Sequence, residues 1–220
     1  MRIIELKLPT TKLNEQKLFY ADELGFELLN ESGNSFTVKT GNSKLTFTHN
    51  KNSAENYYHF AFNIPQNQLN EATMWLKQFT QLIEYDSSPV IDFPNWNAHS
   101  IYFYDAQGNI VELIARHNLN NSSGEAFSAK SILNISEVGM PVESVAEFYT
   151  ELNEKLGLNL WYGNKETFAA IGDEEGLFIV VTTNRNWFPT DKPCNIYPLE
   201  IKIQSNKTIT IDNPDYKIIP

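Results

Sequence analysis

Hydrophobic and polar positions alternate from the start of the chain. Ile4, Leu6 and Leu8 fall on one face of an extended segment over 2–9, and Ile3, Glu5 and Lys7 fall on the other, which is the period of a half-buried strand. The period then lengthens. Thr10 or Thr11 stands where a helix cap belongs, Leu13, Leu18, Phe19 and Leu24 follow at helical spacing, and Gly25 closes the segment. Alternating runs near 26–30, 35–40 and 44–49 predict three further strands. These elements make one βαβββ unit.

The pattern restarts at 57–64, with Tyr58, Phe60 and Phe62 on one face and Tyr57, His59, Ala61 and Asn63 on the other. Pro65 ends that strand, and Leu69, Trp75, Leu76 and Phe79 predict a second helix. A Pro-bearing loop over 89–97 precedes a strand from Ser100, a tight turn at Asp105-Ala106-Gln107-Gly108-Asn109 and a returning strand to Arg116. Residues 117–129 are polar and aperiodic and read as a linker. A strand from 132, a helix to about Leu156 and strands near 167–171 and 177–182 form a third unit. The repeat shows in the residues: Leu18-Phe19-Tyr20 before Leu24-Gly25-Phe26 is matched by Phe148-Tyr149 before Leu156-Gly157-Leu158. A fourth unit opens at 197–203, with too little chain after it for a helix and three strands.

The fold class expected is therefore α+β: repeated βαβββ modules paired into a curved sheet with a concave cavity. Residues 1–116 form the complete pair, and 130–220 form a third module with a partial fourth. The open edge of that incomplete half calls for cover by 206–220 or by a second subunit, so a homodimer is one expectation.

Charges inside apolar strands mark candidate chemistry. Glu112 lies between Val111 and Leu113, where an unpaired carboxylate would be very costly. Glu5, His59, Glu137 and Glu200 occupy strand-opening positions, all on the face turned away from the helix. With the first two units side by side, Glu5, His59 and Glu112 would converge. Two carboxylates and one imidazole suit a borderline divalent ion such as Zn²⁺, Ni²⁺, Co²⁺ or Mn²⁺. Units one and three close with Lys44-Leu45-Thr46-Phe47 and Leu177-Phe178-Ile179-Val180, so neither has a counterpart of Glu112. Glu137 and Glu200 read as structural residues or as remnants of a second site. His99 reads as a surface residue, and Phe93 and Trp96 as packing or as a lid.

The run from Ser100 to Arg116, with Glu112 in its last strand, resembles the end of a βαβββ module in the vicinal-oxygen-chelate superfamily. That superfamily holds glyoxalase I, extradiol dioxygenases, and fosfomycin- and bleomycin-resistance proteins. The resemblance implies that Glu5, His59 and Glu112 are metal ligands, with Glu5 or Glu112 also acting as base. It implies that Ser100 and Tyr102 line the substrate pocket. By alternation Lys7 shares the face of Glu5, two residues on, where it would orient an anionic substrate or form a salt bridge to Glu5 or Glu112. The dioxygenases and the fosfomycin proteins carry His where this chain has Glu5, so a non-redox ion is expected ahead of Fe(II). The activity implied is that of a metal-dependent isomerase or lyase on a small oxygen-rich substrate, with ring-cleaving dioxygenase chemistry as runner-up. The alternative is a metal-free module like the bleomycin-resistance proteins, holding a cationic ligand in an acidic, aromatic-lined groove.

Composition narrows the partners. The 220 residues, 41% of them hydrophobic, suffice for real cores. A net charge of −10 without any Lys/Arg run argues against nucleic acid. No apolar run is long enough for a membrane span, and the first residues lack the features of a signal peptide. A lone cysteine, Cys194, precludes an internal disulfide. A cytoplasmic protein acting on a small molecule is expected.

Overall fold

The structure is a computed structural model that describes residues 1–50, 56–212 and 214–220. The first unit comprises β1 (Arg2–Thr10), α1 (Leu13–Lys17), β2 (Leu28–Ser32), β3 (Ser35–Thr40) and β4 (Ser43–His49). Its helix does not stay α-helical to Leu24, because it widens into a π-helical stretch over Leu18–Glu23 before Gly25 turns the chain at φ +77°. The second unit holds β5 (His59–Ile64), α2 (Leu69–Leu76), β6 (Leu82–Ile83), β7 (Val90–Phe93), β8 (Ala98–Tyr104) and β9 (Ile110–Arg116). The third holds β10 (Asn134–Val142), α3 (Val145–Leu156), β11 (Leu160–Gly163), β12 (Phe168–Asp173) and β13 (Gly176–Thr182). Ser144 caps α3 through the Glu147 N–H at 3.3 Å, and Gly157 closes it at φ +69°.

The chain ends in β14 (Leu199–Gln204), β15 (Ile211–Asp212) and β16 (Tyr216–Ile219). In each full unit the first strand runs parallel to the last, and β14 and β16 keep that relation, Leu199 facing Tyr216. The remnant is thus a module without its helix and one of its strands, and β16, itself paired with β15, covers the edge of β14.

The architecture is α+β, with repeated βαβββ modules paired into open curved sheets, but the partners differ from those expected. The first unit pairs with the remnant through β1 and β14, giving the sheet β15-β16-β14-β1-β4-β3-β2. The second pairs with the third through β5 and β10, giving β11-β12-β13-β10-β5-β9-β8-β6, with β7 against β8. Residues 1–116 therefore do not close on themselves into one sheet. Side-chain complementarity supplies a reason: antiparallel β1 and β14 set Glu5 opposite Lys202 and Lys7 opposite Glu200, and opposite charges across a ladder are favourable. The register shifts between Ile3 and Glu5, so Ile3 leaves the polar face it was assigned and enters the core, 1% exposed.

One apolar cluster joins the inner faces of both sheets and the three helices, with Leu6 and Leu8 from β1, Phe60 and Phe62 from β5, and Phe148 and Leu152 from α3. Phe26 meets Phe62 at 6.0 Å and Phe19 meets Phe103 at 6.2 Å, which ties the two sheets together. Asp105 makes a second tie. From the turn between β8 and β9, its buried carboxylate accepts from Gln16 and Asn109 side chains at 2.8 Å, from Tyr20 Oη at 3.0 Å, and from the Gln107, Gly108 and Asn109 N–H groups. Asp105→Ala orphans these donors, so it should cost at least about 3 kcal/mol, read as a lower urea midpoint at unchanged m-value. A loss under about 1 kcal/mol would remove this tie from the account. Among the described residues, no helix is long and apolar enough to cross a membrane.

Candidate metal and ligand site

His59 opens β5, Glu112 stands in the middle of β9, and Glu137 lies in β10 opposite Ala61, itself opposite Glu112. Strand alternation turns all three to the face away from the core. Each can offer one ligand atom such that these atoms all lie within 4.8 Å of one another. The Nδ1 of His59 lies 3.1 Å from the Ile110 carbonyl, which can only accept, so Nδ1 carries the proton and the Nε2 lone pair is left free. That Nε2 lies 3.8 Å from Glu112 Oε2. An outward-turned, hydrogen-bonded imidazole is how a histidine is oriented for a metal, and one nitrogen with two carboxylates fits a divalent ion of the zinc-to-manganese group. The three form the floor of a cavity of about 300 Å³ walled largely by aromatic rings.

No family model matches the sequence and no curated protein matches it, but solved structures do. A Bacillus subtilis subsp. subtilis str. 168 protein, provisionally described as a dioxygenase, superposes with a TM-score of 0.61 at 14% identity, over 94% of this chain and 71% of its own. Glyoxalase I from Zea mays superposes with a TM-score of 0.58 at 15% identity, over 91% of this chain and 74% of its own. The chain has the glyoxalase fold. The resemblance to the vicinal-oxygen-chelate superfamily read from Ser100–Arg116 holds at that level.

Within this glyoxalase-like frame the membership of the cluster corrects the sequence reading. Glu5 is not part of it, since it lies on β1 of the other sheet and accepts from Thr46 Oγ1 at 2.6 Å. Glu137 takes that place, so the donor set remains one imidazole and two carboxylates. The reason is the exchange of partners: β5 lies beside β10, not β1. His59 and Glu137 hold matching positions in their strands. Two residues on, Ala61 faces Glu112, and Gly139 faces Ile179. Ile179 therefore fills the fourth, symmetry-related place with a hydrocarbon, and it lines the cavity.

Lys7 is also absent from the site. It donates to Glu200 Oε1 at 2.7 Å across the β1–β14 ladder. That hydrogen bond is the main reason the Glu200 carboxyl is held below the usual glutamate range. The pair's stabilisation is thus present above the ordinary glutamate pKa and fades as pH falls below it. Both groups are partly solvated, so Lys7→Ala should cost at most about 1 kcal/mol in thermal unfolding, with no effect on ligands of the cavity.

Ser100 stands behind the site, and its hydroxyl donates to Glu112 Oε1 at 2.5 Å. Tyr102 lines the cavity, its ring stacked on His59 at 6.3 Å. Phe93 and Trp96 line it too, whereas His99 pairs with His117 at 2.8 Å.

Two partners of the site escaped the sequence reading. Arg116 closes β9 and, although fully buried, hydrogen-bonds Glu137 Oε1 and Ser136 Oγ through Nη2. Its guanidinium lies 5.4 Å from the Trp96 ring centre and 5.8 Å from that of Trp161, and its Nη1 has no hydrogen-bond partner among the described residues. Trp187, on the loop after β13, covers His59 at 5.0 Å. A Cβ on Gly139 would come 2.5 Å from the edge of that indole, so the glycine is what admits the ring. Arg116 ends the apolar run Ile-Val-Glu-Leu-Ile-Ala, and by alternation it shares the face of Glu112, which was the available signal.

Burial sets the charge states. It lowers His59 to about 4 and leaves it neutral. Burial, with the neighbouring Glu137 charge, lifts Glu112 to about 8 against the pull of Ser100, Tyr102 and Arg116. Glu137 is also raised by burial, but Arg116 opposes the shift directly, so we place the anion there.

Proposed function

We propose that this protein binds one divalent metal ion through His59, Glu112 and Glu137 and uses the site to transform a small oxygen-rich substrate. The supporting observation is the convergence of one oriented imidazole nitrogen and two carboxylates at the closed end of an aromatic cavity. A bound ion of this class supplies Lewis acidity toward neighbouring oxygens of a ligand. Glu112, steered by the Ser100 hydroxyl, is the residue placed to exchange a proton with the substrate once metal binding has displaced its own. Trp187 and Phe188 line the cavity, with the Trp187 ring over His59 at 5.0 Å. Isomerase or lyase chemistry fits this set better than ring cleavage with dioxygen, because a single histidine departs from the two-His, one-carboxylate arrangement of non-haem Fe(II) oxygenases.

The second reading, a metal-free ligand-binding protein, draws on Arg116. Its guanidinium already balances Glu137, and a protonated Glu112 beside a neutral His59 leaves the floor without net charge. Titration of chelator-treated protein with Zn²⁺, Ni²⁺, Co²⁺, Mn²⁺ and Fe²⁺ separates the two. One equivalent taken up with displacement of protons supports the metal site. No uptake of any of the five at millimolar concentration transfers the cavity to the metal-free reading.

A further inference from the structure

We infer that Arg185 recognises a carboxylate on the ligand, so that the cavity takes a small, flat, aromatic acid. The inference rests on the proposed site for where the other end of the ligand goes. Four charged residues line the cavity: Asp92, Glu112, Glu137 and Arg185. Three are engaged by the protein. Glu137 holds Arg116, Glu112 accepts from Ser100, and Asp92 faces His99 Nε2 at 3.5 Å.

Arg185 differs, since no carboxylate among the described residues lies within ion-pairing reach of its guanidinium. Its side chain is half-buried and rests 5.8 Å over the Phe168 ring. Its backbone is held in place, because the Cys194 N–H donates to the Arg185 carbonyl at 2.8 Å and the Trp187 N–H to the Lys192 carbonyl at 2.8 Å. These bonds close the base of the loop whose Trp187 covers His59. A guanidinium fork at a cavity wall without a protein anion is matched by a planar carboxylate, which it can bind through two parallel N–H···O bonds.

The rest of the wall defines the body of the ligand. Phe93, Trp96, Tyr102, Phe168, Trp187 and Phe188 offer ring faces and edges, suited to a flat apolar body. A volume of about 300 Å³ lies at the small end of ligand sites. The free guanidinium opposes a cationic ligand, so the cation-sequestering form of the metal-free reading is disfavoured.

The probes are 2-hydroxybenzoate and its uncharged isostere 2-hydroxybenzamide, titrated against the metal-free protein with tryptophan fluorescence as readout. The wild type should bind the acid about 10- to 100-fold more tightly than the amide, the range of one charge-assisted contact. Arg185→Gln should abolish that preference while leaving the Zn²⁺ isotherm unchanged. Equal affinity of the wild type for acid and amide, a preference that survives in Arg185→Gln, or no saturable binding of either probe overturns the inference. Failure of the metal site alone registers only in the Zn²⁺ isotherm, and the acid-over-amide preference then still decides the role of Arg185.

Discussion

Glu137→Ala should lower folding stability by about 3–5 kcal/mol, the usual cost of stranding one partner of a buried ion pair. At this chain length that is on the order of 10 °C in melting temperature. Arg116 has no exposed surface, and its Nη1 is already without a hydrogen-bond partner among the described residues. Once Glu137 is gone, its remaining hydrogen-bond acceptor is Ser136 Oγ, at 3.3–3.4 Å. The flanking Trp96 and Trp161 rings offset part of the desolvation and do not replace a carboxylate. Urea unfolding is the measurement, with Glu137→Ala compared with the double variant Arg116→Met/Glu137→Met. The double variant should recover most of the loss, because it buries no charge. If Glu137→Ala loses less than about 1 kcal/mol, the guanidinium is reaching water and the pair is not a closed one.

His59→Ala should abolish saturable Zn²⁺ binding, since it removes the sole nitrogen of the cluster. The loss should exceed the roughly 10–100-fold that follows from removing an outer hydrogen-bond partner of a ligand. Ser100→Ala provides that smaller effect as an internal standard, because it frees Glu112 Oε1 without touching the donor set. Glu5→Ala tests the corrected membership. It lies in the other sheet and should leave the isotherm unchanged, whereas Glu112→Ala should act like His59→Ala. Calorimetric titration of the four variants reads all of this. Full Zn²⁺ affinity in His59→Ala would exclude the cluster as the binding site.

Much of the fold was legible because the periods of strand and helix are local properties. The alternation over 57–64 and the helical spacing over 69–79 each needed only their own residues, and β5 and α2 appeared there. Glu112 was legible for the same reason: a carboxylate among Ile, Val and Leu demands a partner wherever the strand goes. The tie made by Asp105 was not, since its donors Gln16 and Tyr20 lie 89 and 85 residues away. The π-helical stretch at Leu18–Glu23 leaves the residue types unchanged and alters only the hydrogen-bond step, so no pattern announced it.

Except at the β1 register shift that turns Ile3 inward, the sequence by itself determined which strand residues face the core and which face away from it, because side chains alternate along a strand whatever lies beside it. It placed Glu5, His59, Glu137 and Glu200 on the outward face, and all four lie in strands there. Only the tertiary structure decided which of them meet. Strand edges carry the same backbone donors and acceptors throughout, so β1 could hydrogen-bond to β5 or to β14. Side-chain complementarity favours the second, with Glu5 facing Lys202 and Lys7 facing Glu200, and β5 then lies beside β10, where Ala61 faces Glu137. That choice removed Glu5 from the cavity and brought Glu137 and Arg116 into it.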